Sequence, residues 1–224
     1  MPPTRPPDVP STFRVVDGVT VVDHVLLARL LSILRDEHTP HRVFRETLTD
    51  AALILGYEAM RGLRGSEVRV QTPLEEADGV RLADEVFVVA ILRAGLGLVD
   101  GFLRLVPEAR VGHLGMYRDE EALRPVGYYE NIPSGVEDAE VFVVDPMLAT
   151  GGSSVQAVAR LKRAGAKRLH FVCLVAAPEG VAALRKAHPD VAITTAVIDR
   201  QLDQNGYIRP GLGDAGDRIF GTDR

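Results

Sequence analysis

In the stretch VFVVDPMLATGGSSVQAVARLKRAG, Val141 to Gly165, one acid, a threonine, paired glycines and paired serines stand between an apolar run and a helical one. Val141, Phe142, Val143 and Val144 read as a strand buried on both faces, and Asp145 stands where that strand would emerge. Pro146 is expected to close the strand, having no N–H to give a ladder. From Ala149 to Ser154 every side chain is small, and Val155, Val158 and Ala159 begin a helical stripe that runs to Lys162 and Arg163 before Gly165. The free N–H groups and positive end of such a helix attract an anion, glycines admit it to the backbone, and hydroxyls add donors. The loop therefore suits a phosphate, with Asp145 beside it able to hold sugar hydroxyls. The same residues also describe a plain strand-to-helix turn with Ser153 or Ser154 as N-cap. Two familiar nucleotide loops are excluded: there is no GxxxxGK[ST], and no GxGxxG followed by an acid near the next strand.

Three further places carry residues fit for chemistry. VFVVAIL, Val86 to Leu92, runs into RAGLGLVDG, so Arg93 is a cation at a strand end before a glycine-rich turn; its alternative is an ordinary pairing with a surface acid. MYRDEEALRPVGYYENIP reads as an exposed hairpin or flap with Arg118 at its base, or as a solvated loop. The last segment, DRQLDQNGYIRPGLGDAGDRIFGTDR, has no regular period, yet Tyr207, Ile208, Leu212, Ile219 and Phe220 are spaced through it. A disordered tail is poor in such residues, so an ordered, backbone-rich hood is expected. Its N–H and C=O groups can read a flat polar heterocycle.

These residues need a frame. Apolar runs at Val86–Leu92, Val111–Met116, Val141–Val144, Leu169–Val175 and Val191–Ile198 are separated by helical stretches, the alternation of a parallel sheet covered by helices. Ligands of such sheets bind beyond the carboxyl ends of the strands, where Arg93, Arg118, Asp145 and the hood all fall. Ahead of them a β-like segment at Val19–Val22 leads to a helix capped by Asp23, carrying Leu26, Leu27, Leu30, Leu31 and Leu34. Thr39 and Pro40 start a longer helix to about Leu63.

With 224 residues, 46% hydrophobic and 25% charged, the chain suits one soluble domain, residues 12–224, behind a disordered tail of residues 1–11. A net charge of −5 argues against a broad nucleic-acid surface. No apolar stretch approaches a membrane span, and MPPTRPPDVPS has prolines where a signal peptide needs its hydrophobic region. The lone Cys173, inside FVCLVAA, reads as a core thiol more readily than a reactive one, and one cysteine forms no internal disulfide, which fits a reducing cytoplasm.

In that order and spacing, ILRAGLGLVDG, GMYRDEE, VVDPMLATGGS, LVAAPEG and GYIRPGLGDAGDRIFGT closely resemble the uracil phosphoribosyltransferases, over roughly residues 19–223. The resemblance implies an α/β, parallel-sheet phosphoribosyltransferase (Rossmann-like) core with an amino-terminal helical segment, a flap hairpin and a hood at about 199–224. It implies transfer of a phosphoribosyl group from 5-phospho-α-D-ribose 1-diphosphate to uracil, giving UMP and diphosphate in pyrimidine salvage. Carried over by position, Asp145, Pro146, Met147, Leu148, Ala149, Thr150, Gly151, Gly152 and Ser153 form the donor loop, Asp145 on the ribose hydroxyls and Thr150 to Ser153 around the 5′-phosphate. Arg93 and Arg118 face the diphosphate, while Ile208, Gly213, Asp214 and Ala215 line the uracil site, Asp214 also near the donor. The wider family carries two adjacent acids at the loop start. Here Pro146 follows Asp145, which implies that Mg²⁺ arrives bound to the diphosphate and not in a protein metal site. Family members are often activated by GTP and assemble as homodimers or larger oligomers. They commonly have Pro and a His-Lys pair where this chain reads DHVLLARLL, with Val25, Arg29 and Leu30, which leaves GTP control open. A nucleotide-sensing RNA-binding regulator on the same fold would show a clustered basic face, and a transferase for purines or orotate would lack the GYIRPGLGDAGD segment.

Overall fold

A computed structural model describes residues 13–118 and 125–222. The chain opens with a hairpin, β1 (Phe13–Val16) and β2 (Val19–Val22), followed by helices α1 (Val25–Arg35) and α2 (His41–Ala59). Strands β3 (Gly65–Gln71) and β4 (Glu76–Leu82) make a separate two-stranded sheet. Then come β5 (Val86–Leu92), α3 (Leu96–Leu105), β6 (Arg110–Arg118), β7 (Pro125–Asn131), β8 (Glu140–Val144), β9 (Met147–Leu148), α4 (Gly152–Arg163), β10 (Arg168–Ala176), α5 (Pro178–Ala187) and β11 (Ala192–Ile198). The hood is a short hairpin, β12 (Gln201–Leu202) with β13 (Ile208–Arg209), and a final helix α6 (Ala215–Phe220).

The main sheet runs β1-β2-β11-β10-β8-β5-β6-β7. From β2 to β6 neighbouring strands are parallel, and antiparallel β1 and β7 close the two edges. The unbroken apolar runs follow from cover on both faces. Val86, Val88 and Ala90 of β5 join Phe142, Val144 and residues of α1, α2 and α3 in one core, while Phe87, Val89 and Ile91 join Val141, Val143 and residues of α4 and α5 in the other. Cys173 lies wholly buried in the second core, and burial pushes its thiol up to about 12, so it is the core thiol expected.

One helix start and one helix end fall differently from the sequence reading. The first helix is capped by His24, not Asp23, its Nδ1 accepting from the Leu26 N–H at 3.2 Å. The long second helix turns 3-10 at Met60–Gly62 after ending at Ala59. The β3–β4 hairpin had no counterpart in the sequence reading. Among the described residues no helix is long and apolar enough to cross a membrane.

Candidate active site

Strand order places the site. From β5 the chain crosses to β6 on one side, whereas from β8 it crosses through α4 to β10 on the other, so β5 and β8 flank the point where the winding reverses. At such a point the loops leaving neighbouring strands diverge and open a crevice. Arg93 follows β5, and Asp145 follows β8. The turn after β5 lies against the end of β8: a Cβ at Gly95 would stand 2.5 Å from the Val144 carbonyl and 2.6 Å from that of Ile91, so only glycine admits this approach.

Pro146 interrupts the strand without ending it. Its carbonyl accepts from the N–H groups of both Leu174 and Val175 at 3.0 Å, which bridges the ladder across the gap. Pairing with β10 then resumes in step, Val144 opposite Val172 and Met147 opposite Val175. The loop Ala149–Gly151 therefore leaves from a fixed platform. Gly151 takes φ of 81° as N-cap of α4, and a Cβ there would stand 2.9 Å from that of Ala183. No side chain caps this helix start from the N-cap position; Ser154 instead donates from Oγ to the Gly151 carbonyl at 3.3 Å, and Thr150 Oγ1 stands 3.5 Å from the Gly152 N–H. The plain capped turn that Ser153 or Ser154 would have made is thus not what forms, and the first turn of α4 presents main-chain N–H groups beside an exposed Thr150.

Asp145 is partly buried, and loss of water pushes its carboxyl up to about 7; the Met147 N–H, 3.3 Å from Oδ1, opposes the shift and the charge of Asp214 adds to it. The folded protein thus holds a proton that the unfolded chain, titrating near 3.8, gives up. The neutral group's contribution to stability is complete below about pH 4 and is lost as pH rises through about 7, at up to about 1.4 kcal/mol per pH unit. Asp145→Asn, neutral throughout, is expected to match the parent Tm near pH 4 and exceed it above pH 7 in melts of the ligand-free protein. A Tm difference constant across that range would contradict this.

The hood is ordered: Ile208, Leu212, Ala215 and Ile219 are buried in the first core. Asp214 is the N-cap of α6, its carboxylate accepting from the Asp217 N–H at 3.0 Å, and Gly213 has φ of 79° with an exposed edge. Arg93 reaches across to α6, donating from Nη2 to Asp217 Oδ1 at 3.1 Å. The structure thus brings Arg93 against the hood at α6, close to Asp214 across Gly216, with the Gly95 turn against the end of β8 that carries Asp145, and buries Ile208 and Ala215 in the first core. Arg118 ends β6 opposite Pro125 at the base of the antiparallel β6–β7 hairpin, as a flap requires, but its side chain and residues 119–124 lie outside the described residues, as do residues 1–12.

Asp217 was not singled out from sequence. Its spacing of three from Asp214, an acid in the first turn after an acidic cap, was the available signal. Nor was the brace behind the hood. Asp199, almost wholly buried, accepts from Arg35 at 2.7 Å and from the Gly211 N–H at 2.9 Å, while Arg218 donates to the carbonyls of Leu34, Asp36 and Leu212 and lies over the Phe44 ring at 4.4 Å.

The uracil phosphoribosyltransferase family model matches residues 21–222. The chain belongs to the uracil phosphoribosyltransferase family. A uracil phosphoribosyltransferase of Salinibacter ruber is 64% identical over 207 residues, covering 92% of this chain and 99% of the relative. One from Streptococcus salivarius is 55% identical over 203 residues, covering 90% and 97%. Among solved structures, a protein of Aquifex aeolicus superposes with a TM-score of 0.88 at 34% identity, over 92% of this chain and 99% of its own. The adenine phosphoribosyl transferase of Trypanosoma brucei, at TM-score 0.56 and 11% identity over 89% of both chains, shares the fold.

Proposed function

We propose that this chain joins uracil N1 to C1 of 5-phospho-α-D-ribose 1-diphosphate, releasing diphosphate and giving UMP for pyrimidine salvage. The protein is an enzyme, a pentosyltransferase. The observation that carries this reading is the convergence at the β5/β8 crevice of an uncapped helix start, an acid at a strand end and a cation from the neighbouring strand, in a chain 64% identical to a uracil phosphoribosyltransferase. Formation of UMP by the purified protein tests it.

In this reading Thr150, Gly151, Gly152 and Ser153 hold the 5′-phosphate at the start of α4, and Asp145 accepts from the ribose hydroxyls. Arg93 and Arg118 meet the diphosphate. As the C1–O bond to diphosphate breaks, positive charge builds on the ribose ring and negative charge on the leaving group. Uracil N1 attacks from the opposite face, so C1 inverts without a covalent enzyme intermediate, and the N1 proton passes to Asp214 or to water. Catalysis is positioning and charge stabilisation, with Arg93 and Arg118 meeting charge that grows in the transition state.

Arg93 and Arg118 would hold the diphosphate, and magnesium carried on it would supply charge neutralisation there. Among the described residues no group of three or more His, Cys, Asp or Glu side chains stands close enough to hold a metal ion, and Asp145 has no adjacent acid, so the donor set suits a metal carried by substrate.

Thr150 is one donor of the phosphate cradle, and a charge-assisted hydrogen bond is worth about 1.5–3 kcal/mol. Thr150→Ala is therefore expected to weaken donor binding roughly tenfold or more in calorimetry. An unchanged affinity with the fold intact would remove the 5′-phosphate from this loop.

The protein acts in the cytoplasm and as a homodimer or larger homo-oligomer. The separate β3–β4 hairpin supports assembly: Leu74 in its turn is 95% and Val80 on β4 76% exposed, and a two-stranded sheet in water alone is marginal and gains from cover by another copy. Activation by GTP rests on the family resemblance alone.

A further inference from the structure

Arg93 is 52% exposed, yet its guanidinium is not left to wander, because Asp217 takes Nη2 at 3.1 Å. A pair between two exposed side chains would fix little. Asp217 differs in being only 16% exposed and in being held from its own side: its Oδ1 also accepts from Thr222 Oγ1 at 2.7 Å, and its N–H donates to Asp214 Oδ1 at 3.0 Å. The Phe220 ring lies 5.8 Å from the guanidinium carbon, so α6 offers Arg93 both a carboxylate and an aromatic face. Gly216 keeps the space between them clear, since a Cβ there would stand 3.2 Å from Asp214 Oδ1 and 3.7 Å from Arg93 Nη2. Asp217 occupies one of five guanidinium N–H donors, which leaves the rest of the fork for an oxyanion.

We propose that Asp217 is a positioning residue that sets the Arg93 guanidinium toward the departing diphosphate and ties its placement to the hood that binds the base. The proposal rests on the diphosphate role of Arg93 given above. It assigns the hood a second task. The segment bearing Asp214 and Ala215 also bears the group that orients the cation, so the leaving-group clamp is in register only when the hood is folded over the crevice.

The test is a double-mutant cycle, Asp217→Asn with Arg93→Ala, read as kcat with saturating substrates, together with UMP affinity by calorimetry. UMP carries no diphosphate, so its binding reports hood and phosphate loop without the clamp. Asp217→Asn is expected to lower kcat about tenfold or more, as loss of orientation does. UMP affinity is expected to stay within about twofold, and Asp217→Asn to add nothing in the Arg93→Ala background. Effects that multiply in the double variant, or a parental kcat for Asp217→Asn, would overturn the proposal while leaving the clamp standing if Arg93→Ala is slow. Weakened UMP binding in Asp217→Asn would make Asp217 a prop of the hood, and tighter donor binding with faster turnover would make it a latch; either overturns the positioning role. A parental rate for Arg93→Ala would remove the clamp and the inference together.

Discussion

Cytosine is expected to be used at least about 10⁴-fold less well than uracil, measured as kcat/KM. In the proposed reading the hood meets its ligand with main chain around Ile208 and Gly213 to Ala215, where Ile208 and Ala215 are buried and Gly213 has φ of 79°. Uracil presents an acceptor at O4 and a donor at N3; cytosine presents a donor at position 4 and an acceptor at N3. Both contacts reverse, and each mismatch leaves a buried polar group unpaired or facing its like. Main-chain groups survive side-chain change, so Ala215→Ser should keep the preference. A branched residue at Gly213, strained at that φ, should weaken both bases alike. Comparable cytosine use by the parent protein would overturn main-chain readout, and lost selectivity in Ala215→Ser would move it to the side chain.

Arg93→Ala should lower kcat by about 10²–10³-fold, the cost of removing one preorganised donor from a developing anion. In the proposed clamp the charge facing Arg93 grows as diphosphate departs, so the uracil KM should change far less than kcat. Lysine should restore part of the rate: it returns the charge, but its ammonium has no planar fork to serve Asp217 and the diphosphate together. Wild-type turnover in Arg93→Ala would place the diphosphate clamp elsewhere.

The strands of the core were legible because burial on both faces leaves a mark no other element leaves, four to seven apolar residues without a polar break, as in Val141–Val144 and Val86–Leu92. The residues at their carboxyl ends followed, since a polar group stopping such a run must leave the sheet. The β3–β4 hairpin was not legible. Its Val68 and Val70 alternate with Glu67, Arg69 and Gln71 as a strand's should, but among the described residues the hairpin joins neither core, so its pattern is too weak to stand out. The cap of α4 was misleading for the opposite reason: serines in a first turn look like caps, and the structure gives Ser154 to a carbonyl within the turn. Asp217 escaped because its partner lies 124 residues away, and a surface arginine has many acids to choose from until the fold selects one. The same holds for Asp199, which Arg35 meets across 164 residues.

The most direct measurement is product formation by the purified protein given labelled uracil, 5-phospho-α-D-ribose 1-diphosphate and Mg²⁺, with hypoxanthine, adenine and orotate in parallel reactions. UMP and diphosphate are expected in equal amounts from uracil, with no comparable nucleotide from the other bases. Absence of UMP from folded protein, or equal use of a purine or orotate, would contradict it.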